Sequence, residues 1–97
     1  MFDLPVVTET DKKIYSKFRR FLLDDGYFMI QYSIYTRICK NADDVRKHEI
    51  KLSINMPKKG NVRMLQVTEN QFQNMKILCG KQFNEEKIGV DSLVVFE

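Results

Sequence analysis

The chain has 97 residues, 43% apolar and 11% aromatic, which suffices for one domain with a limited core. No run of about 18 apolar residues occurs, and no basic segment followed by an apolar stretch opens the chain, so neither a membrane span nor a secretory signal is expected. The net charge of +3 is concentrated: residues 26–60 hold seven bases against three acids, an excess that fits either a polyanion partner or a plain solvated face. Cys39 and Cys79 form no metal-ligand or redox spacing and read as reduced thiols of a cytoplasmic protein.

In chain order, Phe2-Asp3-Leu4-Pro5 reads as the end of a strand, stopped by a proline that has no N–H to give. Thr8 with Asp11 opens a helix over roughly Glu9 to Asp25, with Ile14, Phe18, Phe21 and Leu22 as its buried stripe. Lys13, Lys17 and Arg20 form one exposed ridge of that helix, with Lys12 and Arg19 near it, and Gly26 is its left-handed cap. Tyr27 to Cys39 reads as one long strand with apolar even positions. Asn41 with Asp44 opens a second helix that ends before Pro57, with Ala42, Val45, Ile50, Leu52 and Met56 as its weaker apolar face. Pro57-Lys58-Lys59-Gly60 is a basic turn, and Val62 to Thr68 a strand. Thr68 with Gln71 caps a third helix with Phe72, Met75, Leu78 and Cys79 on its stripe and Gly80 at its end. Lys81 to Asp91 reads as a loop, and Leu93 to Phe96 as a terminal strand.

With the second helix as a crossover insertion, the order is α+β: a ferredoxin-like βαββαβ with an extra helix between strands two and three. Residues 1–80 form that domain, and residues 81–97 a C-terminal loop and strand. Only Met1 to Asp3 remain for a first strand that should be central, so either the strand is short or the native start lies upstream.

Little in the chain suggests intrachain catalysis. The adjacent pairs Asp24-Asp25, Asp43-Asp44 and Glu85-Glu86 read as helix-end or solvated charge, and His48, the only histidine, as a surface or half-buried residue without catalytic partners. Asp3 stands out by position. A strand-end carboxylate can hold Mg²⁺ together with waters, weakly alone and better as two copies across a dimer axis; the alternative is a turn in which it satisfies backbone N–H groups before Pro5. The bases Lys12, Lys13, Lys17, Arg19, Arg20, Arg37, Lys58 and Lys59 suit a phosphate track. The spacing of Tyr27, Tyr32 and Tyr35 is better explained by strand packing than by base stacking.

Phe2-Asp3-Leu4-Pro5, the run Lys13 to Leu22, the run Gly26 to Tyr35, Pro57 to Val62 and Leu65 to Phe72 together resemble CRISPR-associated protein 2, most closely its type II branch, in order over residues 2 to about 78. The resemblance implies a ferredoxin-like homodimer whose terminal strand, here Leu93 to Phe96, often crosses to the sister protomer. It implies a dimer seated between two dimers of the CRISPR integrase, CRISPR-associated protein 1, that helps capture and integrate new spacer DNA in antiviral defence. Duplex DNA would be held through its phosphates. It also implies a metal-dependent nuclease activity on RNA or DNA, with Asp3 as the Mg²⁺ ligand. The architectural role is the expected function and the Mg²⁺-dependent endonuclease the alternative.

Overall fold

The computed structural model describes residues 1–80 and the backbone of residues 94–95. The chain divides into two units, residues 1–63 and 64–97. The fold is α+β, as expected. Among the described residues the order is β1 (Phe2–Asp3), α1 (Glu9–Asp24), β2 (Phe28–Gln31), β3 (Ile34–Thr36), α2 (Ala42–Ile54), β4 (Asn61–Val62), α3 (Glu69–Gln73), β5 (Lys76–Ile77) and β6 (Val94–Val95). The strands pair in three two-stranded ladders, β1–β4, β2–β3 and β5–β6. No helix among the described residues is long and apolar enough to cross a membrane.

In the first unit, β1 and β4 run antiparallel with Phe2 opposite Val62 and Asp3 opposite Asn61. The ladder continues one residue further: the Arg63 N–H donates to the Met1 carbonyl at 2.8 Å, and the Met1 amino group to the Arg63 carbonyl at 2.9 Å. Across the other edge, the Phe2 N–H donates to the Ser33 carbonyl at 3.0 Å, which fastens β1 to the β2–β3 hairpin. Residues alternate sides along β1, so Phe2 is buried while Asp3 is exposed. The core is Phe2, Leu4, Phe18, Leu22 and Leu52, with Tyr15, Phe21, Tyr27, Tyr35 and Val62 packed against it. The Phe2 ring is its hub, meeting Phe18 edge-on at 5.2 Å, Tyr35 stacked at 5.6 Å and Tyr15 edge-on at 6.0 Å.

The helix starts are where the sequence puts them. Thr8 Oγ1 accepts from the Asp11 N–H at 3.0 Å and the Thr8 N–H donates to Asp11 Oδ2 at 3.2 Å, a complete capping box. Asn41 Oδ1 accepts from the Asp44 N–H at 2.8 Å. Gly26, at φ 91°, follows α1 as expected. The apolar face read for α2 is corrected. Its buried residues are His48 and Leu52, whereas Ile50 is 55% exposed and Met56 lies beyond the helix.

The strand Tyr27 to Cys39 is also corrected: it folds back on itself at Tyr32-Ser33 to give β2 and β3, with a register shift between Met29 and Gln31. Thirteen extended residues would span on the order of 43 Å, several times the radius of gyration of a compact domain of this size. Folding back lets both arms share one core. Nothing at the bend announces it, since neither Tyr32 nor Ser33 is a habitual turn former at positive φ. The strand expected over Val62 to Thr68 is corrected to Asn61–Val62, the residues that pair with β1, and the ladder's hydrogen bonds reach no further than Arg63.

In the second unit, Thr68 Oγ1 accepts from the Gln71 N–H at 3.2 Å and the Thr68 N–H donates to Gln71 Oε1 at 2.9 Å, again as expected. The helix nevertheless stops at Gln73, so Met75, Leu78 and Cys79 do not continue a helical stripe and Gly80 does not end one. Lys76 and Ile77 pair in parallel with Val94 and Val95, inside the expected terminal strand. The expected loop Lys81 to Asp91, with Glu85 and Glu86, lies outside the described residues.

Gly60 holds the β1 region together. Its φ is +90°, and a Cβ there would lie 2.5 Å from the Asp3 carbonyl oxygen and 2.6 Å from Leu4 Cδ2. Gly26 has nearly the same φ, +91°, but a Cβ there would meet only the Arg37 side chain, at an ordinary contact distance of 3.4 Å. Both alanine variants carry the left-handed penalty of about 1–2 kcal/mol; only Gly60→Ala adds a backbone collision. Thermal melts should show Gly60→Ala falling further, by at least roughly 5 °C relative to Gly26→Ala. Equal melting temperatures would show that the collision relaxes freely.

Candidate nucleic-acid interface

Because α1 is capped at its start and buries Phe18 and Leu22, its opposite face is fixed in solvent. Lys12, Lys13, Lys17 and Arg20, with Glu9 and Ser16, line a shallow open depression of about 380 Å³ on that face. Lys12 is partly neutralised by Glu9 at 3.4 Å, an exposed pair one helical turn apart. Lys13, Lys17 and Arg20 make no ion pair with an acid among the described residues. Their i, i+4, i+7 spacing stacks three cations on one ridge about 10 Å long. Arg19 points off this ridge: its Nε donates to the Tyr35 hydroxyl at 3.0 Å.

The remaining bases divide. Lys58 and Lys59 are exposed on the turn before β4. Lys59 Nζ lies 3.9 Å from Asp11 Oδ1, which ties that turn loosely to the start of α1. The Thr8 N–H holds Asp11 below the usual carboxylate range, against the opposing effect of burial, with the Thr8 hydroxyl and Lys59 assisting. Arg37 is turned inward. Its Nε donates to the Asp25 carbonyl at 2.7 Å and its Nη1 to the Ile38 carbonyl at 2.8 Å, and Nη1 lies 3.7 Å from Asp44 Oδ2. The structure therefore brings Lys12, Lys13, Lys17 and Arg20 together and places Arg37 among the acids.

Those acids surround His48. The His48 Nδ1–H donates to Asp25 Oδ2 at 2.7 Å, and Nε2 lies 3.2 Å from Asp44 Oδ1 without an aligned hydrogen bond. Lys51 Nζ donates to Asp25 Oδ1 at 3.3 Å and the Lys40 N–H to Asp44 Oδ2 at 3.0 Å. Asp25 and Asp44 do sit at helix ends, as expected, but Asp25 is not solvated charge, and His48, at 4% exposure, is buried. Sequence reading missed this cluster. Its one local signal was the i, i+4 spacing of Asp44 and His48. Burial raises the Asp25 carboxyl, but hydrogen bonds from His48 and Lys51 outweigh it and leave the group below the usual range. Asp44 is lowered chiefly by the Lys40 N–H, against burial, with Arg37 adding to the effect. The neighbouring Tyr27 phenol is raised by burial and by the Asp25 charge.

Asp3 stands apart from both groups, exposed on β1 with its backbone against Gly60. No group of three His, Cys, Asp or Glu side chains able to hold a metal occurs among the described residues. Among the described residues, this strand end thus offers Mg²⁺ the single carboxylate of Asp3, a donor set that fits the ion only if waters or a second chain supply the rest.

A family model described as "CRISPR associated protein Cas2" matches residues 1–75. The chain is 49% identical over 96 residues to the CRISPR-associated endoribonuclease Cas2 of Acidovorax ebreus, covering 98% of this chain and 94% of that one. It is 40% identical over 95 residues to the protein of the same description from Lacticaseibacillus rhamnosus, at 98% and 94% coverage. The counterpart from Campylobacter jejuni is 40% identical over 98 residues, spanning all of this chain and 68% of its own length.

The Asp25–His48 contact gives an acid-stability prediction. Asp25 and Asp44 have folded values below their ordinary 3.8, so the stability they supply is complete above that value and is lost as pH falls through the lower folded values. His48→Ala leaves the buried Asp25 with Lys51 alone and should cost about 2–4 kcal/mol near neutrality. Asp25→Asn should melt lower than the native chain at pH 7 but lose less on acidification below about pH 4. Circular-dichroism melts across that range check both; parallel acid profiles would place the sensitivity elsewhere.

Proposed function

The chain belongs to the CRISPR-associated Cas2 family, and from that membership we propose that it is an architectural DNA-binding subunit of spacer acquisition. The observation that carries this reading is the ridge of Lys13, Lys17 and Arg20, three cations without acidic partners among the described residues, on a helix held rigid by its cap and core. Cations spaced this way contact phosphates and fix a duplex in place without reading its sequence. In this reading the protomer is ferredoxin-like and acts as a homodimer in the cytoplasm, bridging two dimers of the CRISPR integrase. The thin core supports self-association, since no described side chain is sealed below 2% exposure. Exchange of the terminal strand between protomers would add burial.

A second reading is favoured by the relatives' description as endoribonucleases. Two Asp3 carboxylates brought together across a dimer axis would hold Mg²⁺, which supplies Lewis acidity toward a phosphodiester. This chain's part is to present Asp3 on a strand whose backbone is clamped by Asn61 and Gly60.

The two readings separate in one set of measurements. With about three phosphate contacts per protomer, duplex affinity of the dimer should fall with salt at a log–log slope of roughly −5. Replacing Lys13, Lys17 and Arg20 together by Ala should bring that slope near zero, and a flat response in the native protein would defeat the architectural reading. Asp3→Ala should leave both duplex affinity and spacer integration intact. If Asp3→Ala or a chelator abolishes nucleic-acid cleavage by this protein, or Asp3→Ala abolishes integration, the nuclease reading takes its place.

A further inference from the structure

The β1–β4 ladder has two faces, and the core uses one of them. Phe2 and Val62 oppose each other and turn inward, Phe2 buried and Val62 packed against the core cluster. Met1 and Arg63 exchange both backbone hydrogen bonds, at 2.8 and 2.9 Å, so they are directly opposed one step along the ladder. Asp3 opposes Asn61 one step the other way. Side chains alternate along a strand, so Asp3, Asn61 and Arg63 all emerge on the face turned away from the core. All three are exposed. Opposed residues of an antiparallel pair have Cβ atoms about 5 Å apart, and diagonal ones about 7 Å. Asn61 therefore adjoins Asp3, and Arg63 stands on the diagonal from it, a distance its long side chain spans. The three side chains have no hydrogen-bond or ion-pair partner among the described residues. An acid and a base thus share one small strand face without closing on each other, with an amide beside the acid. The backbone under them is fixed, since Gly60 packs directly on the Asp3 carbonyl. Because α1 packs on the Phe2 side through Phe18 and Leu22, this face lies across the ladder from the basic ridge.

We propose that this face is a phosphodiester site, in which Arg63 holds the phosphate next to Asp3 and the Asn61 amide donates to the same group. A carboxylate alone repels a phosphate. Arg63 cancels that charge, and its planar fork matches two phosphate oxygens at once, which a lysine would hold only as a point charge. Contacts to a phosphate position a strand without reading its sequence, so the site takes any sequence. RNA and DNA share this chemistry. The proposal rests on the nuclease reading above and deepens it by naming the residues that hold the substrate beside Asp3.

The test measures metal-free binding apart from cleavage. Fluorescence anisotropy on the full chain in EDTA uses a short labelled RNA and a labelled DNA duplex of equal length. Arg63→Ala should weaken binding roughly 3- to 10-fold, the range of one exposed charge-assisted contact, and lower the salt slope by about 1. Arg63→Lys should recover part of the loss, and Asp3→Asn, which removes the neighbouring negative charge, should tighten binding. If Arg63 and Asn61 touch one phosphate, the losses in Arg63→Ala and Asn61→Ala should not add in the double variant. Equal weakening on RNA and DNA supports the shared phosphodiester chemistry; weakening on one alone supports it with that nucleic acid selected. Unchanged metal-free affinity in Arg63→Ala, additive losses, or a change of oligomeric state in Arg63→Ala would overturn the proposal, the last by making this face a contact between copies. The two readings fail separately. Cleavage in Mg²⁺ that Asp3→Ala abolishes, with metal-free binding indifferent to Arg63, defeats only this proposal. No cleavage by the native chain, with the coupled losses at Arg63 and Asn61 present, defeats the nuclease reading and supports the phosphate site.

Discussion

Every functional feature of the first unit hangs on two residues of β1. Phe2 packs its ring among Phe18, Tyr35 and Tyr15, which makes it the meeting point of α1 and the hairpin. Its N–H fastens the hairpin tip, and its pairing with Val62 brings the basic turn alongside. Asp3 follows on the outer side, with Gly60 pressed so closely on its carbonyl that no side chain fits between them. Burying an aromatic side chain is worth about 1.5–3 kcal/mol, so one residue supplies a sizeable share of a small domain's net stability. The placement of the carboxylate, the tip and the turn is a consequence of where one phenylalanine ring goes.

A core this thin needs a second tie, and the polar cluster around His48 supplies it. It joins the end of α1 through Asp25, the segment after β3 through Arg37, and α2 through Asp44, His48 and Lys51. Apolar packing between these segments is weak, because α2 buries only Leu52 besides the histidine. Directional hydrogen bonds to a buried carboxylate fix the end of α1 where its apolar stripe has run out. A tie of this kind contributes specificity of arrangement more surely than net stability, since desolvating the charges offsets much of what their contacts return.

What could be read from the sequence follows the range of the forces involved. The starts of the three described helices were legible, because Thr8 with Asp11, Asn41 with Asp44 and Thr68 with Gln71 settle their hydrogen bonds within four residues. The buried stripe of α1 was legible for the same reason. The strand end at Asp3 and the terminal strand that holds Val94 and Val95 were legible too, but the length of β4 was not: it covers only the residues that pair with β1, and no residue of Val62 to Thr68 encodes the length of a partner so distant in sequence. The turn at Tyr32-Ser33 was hidden by apolar alternation that runs on through it. His48 was passed over because its main partner, Asp25, lies 23 residues away. Of the candidate site, the ridge on α1 was legible from helical spacing alone. The inward turn of Arg37 was not, nor was the exposure of Tyr32, whose spacing reads as strand packing.

The geometry of one helix then separates the basic ridge from the side chains that tie α1 to the hairpin. At about 100° per residue, Lys13, Lys17 and Arg20 fall within roughly 60° of one another on the outer face of α1. Tyr15 and Arg19 lie on the flank next to the core, about 100° or more from that ridge, and Lys12 and Ser16 fill the arc between. Because α1 is capped at its start by Thr8 and tied at its end through Asp25, the ridge cannot shift relative to the core without breaking one of these contacts. In the proposed function the ridge would attract a polyanion at long range and position it without reading its sequence. A ridge fixed in this way keeps its three cations at constant spacing, which is what a regular phosphate backbone would require of it.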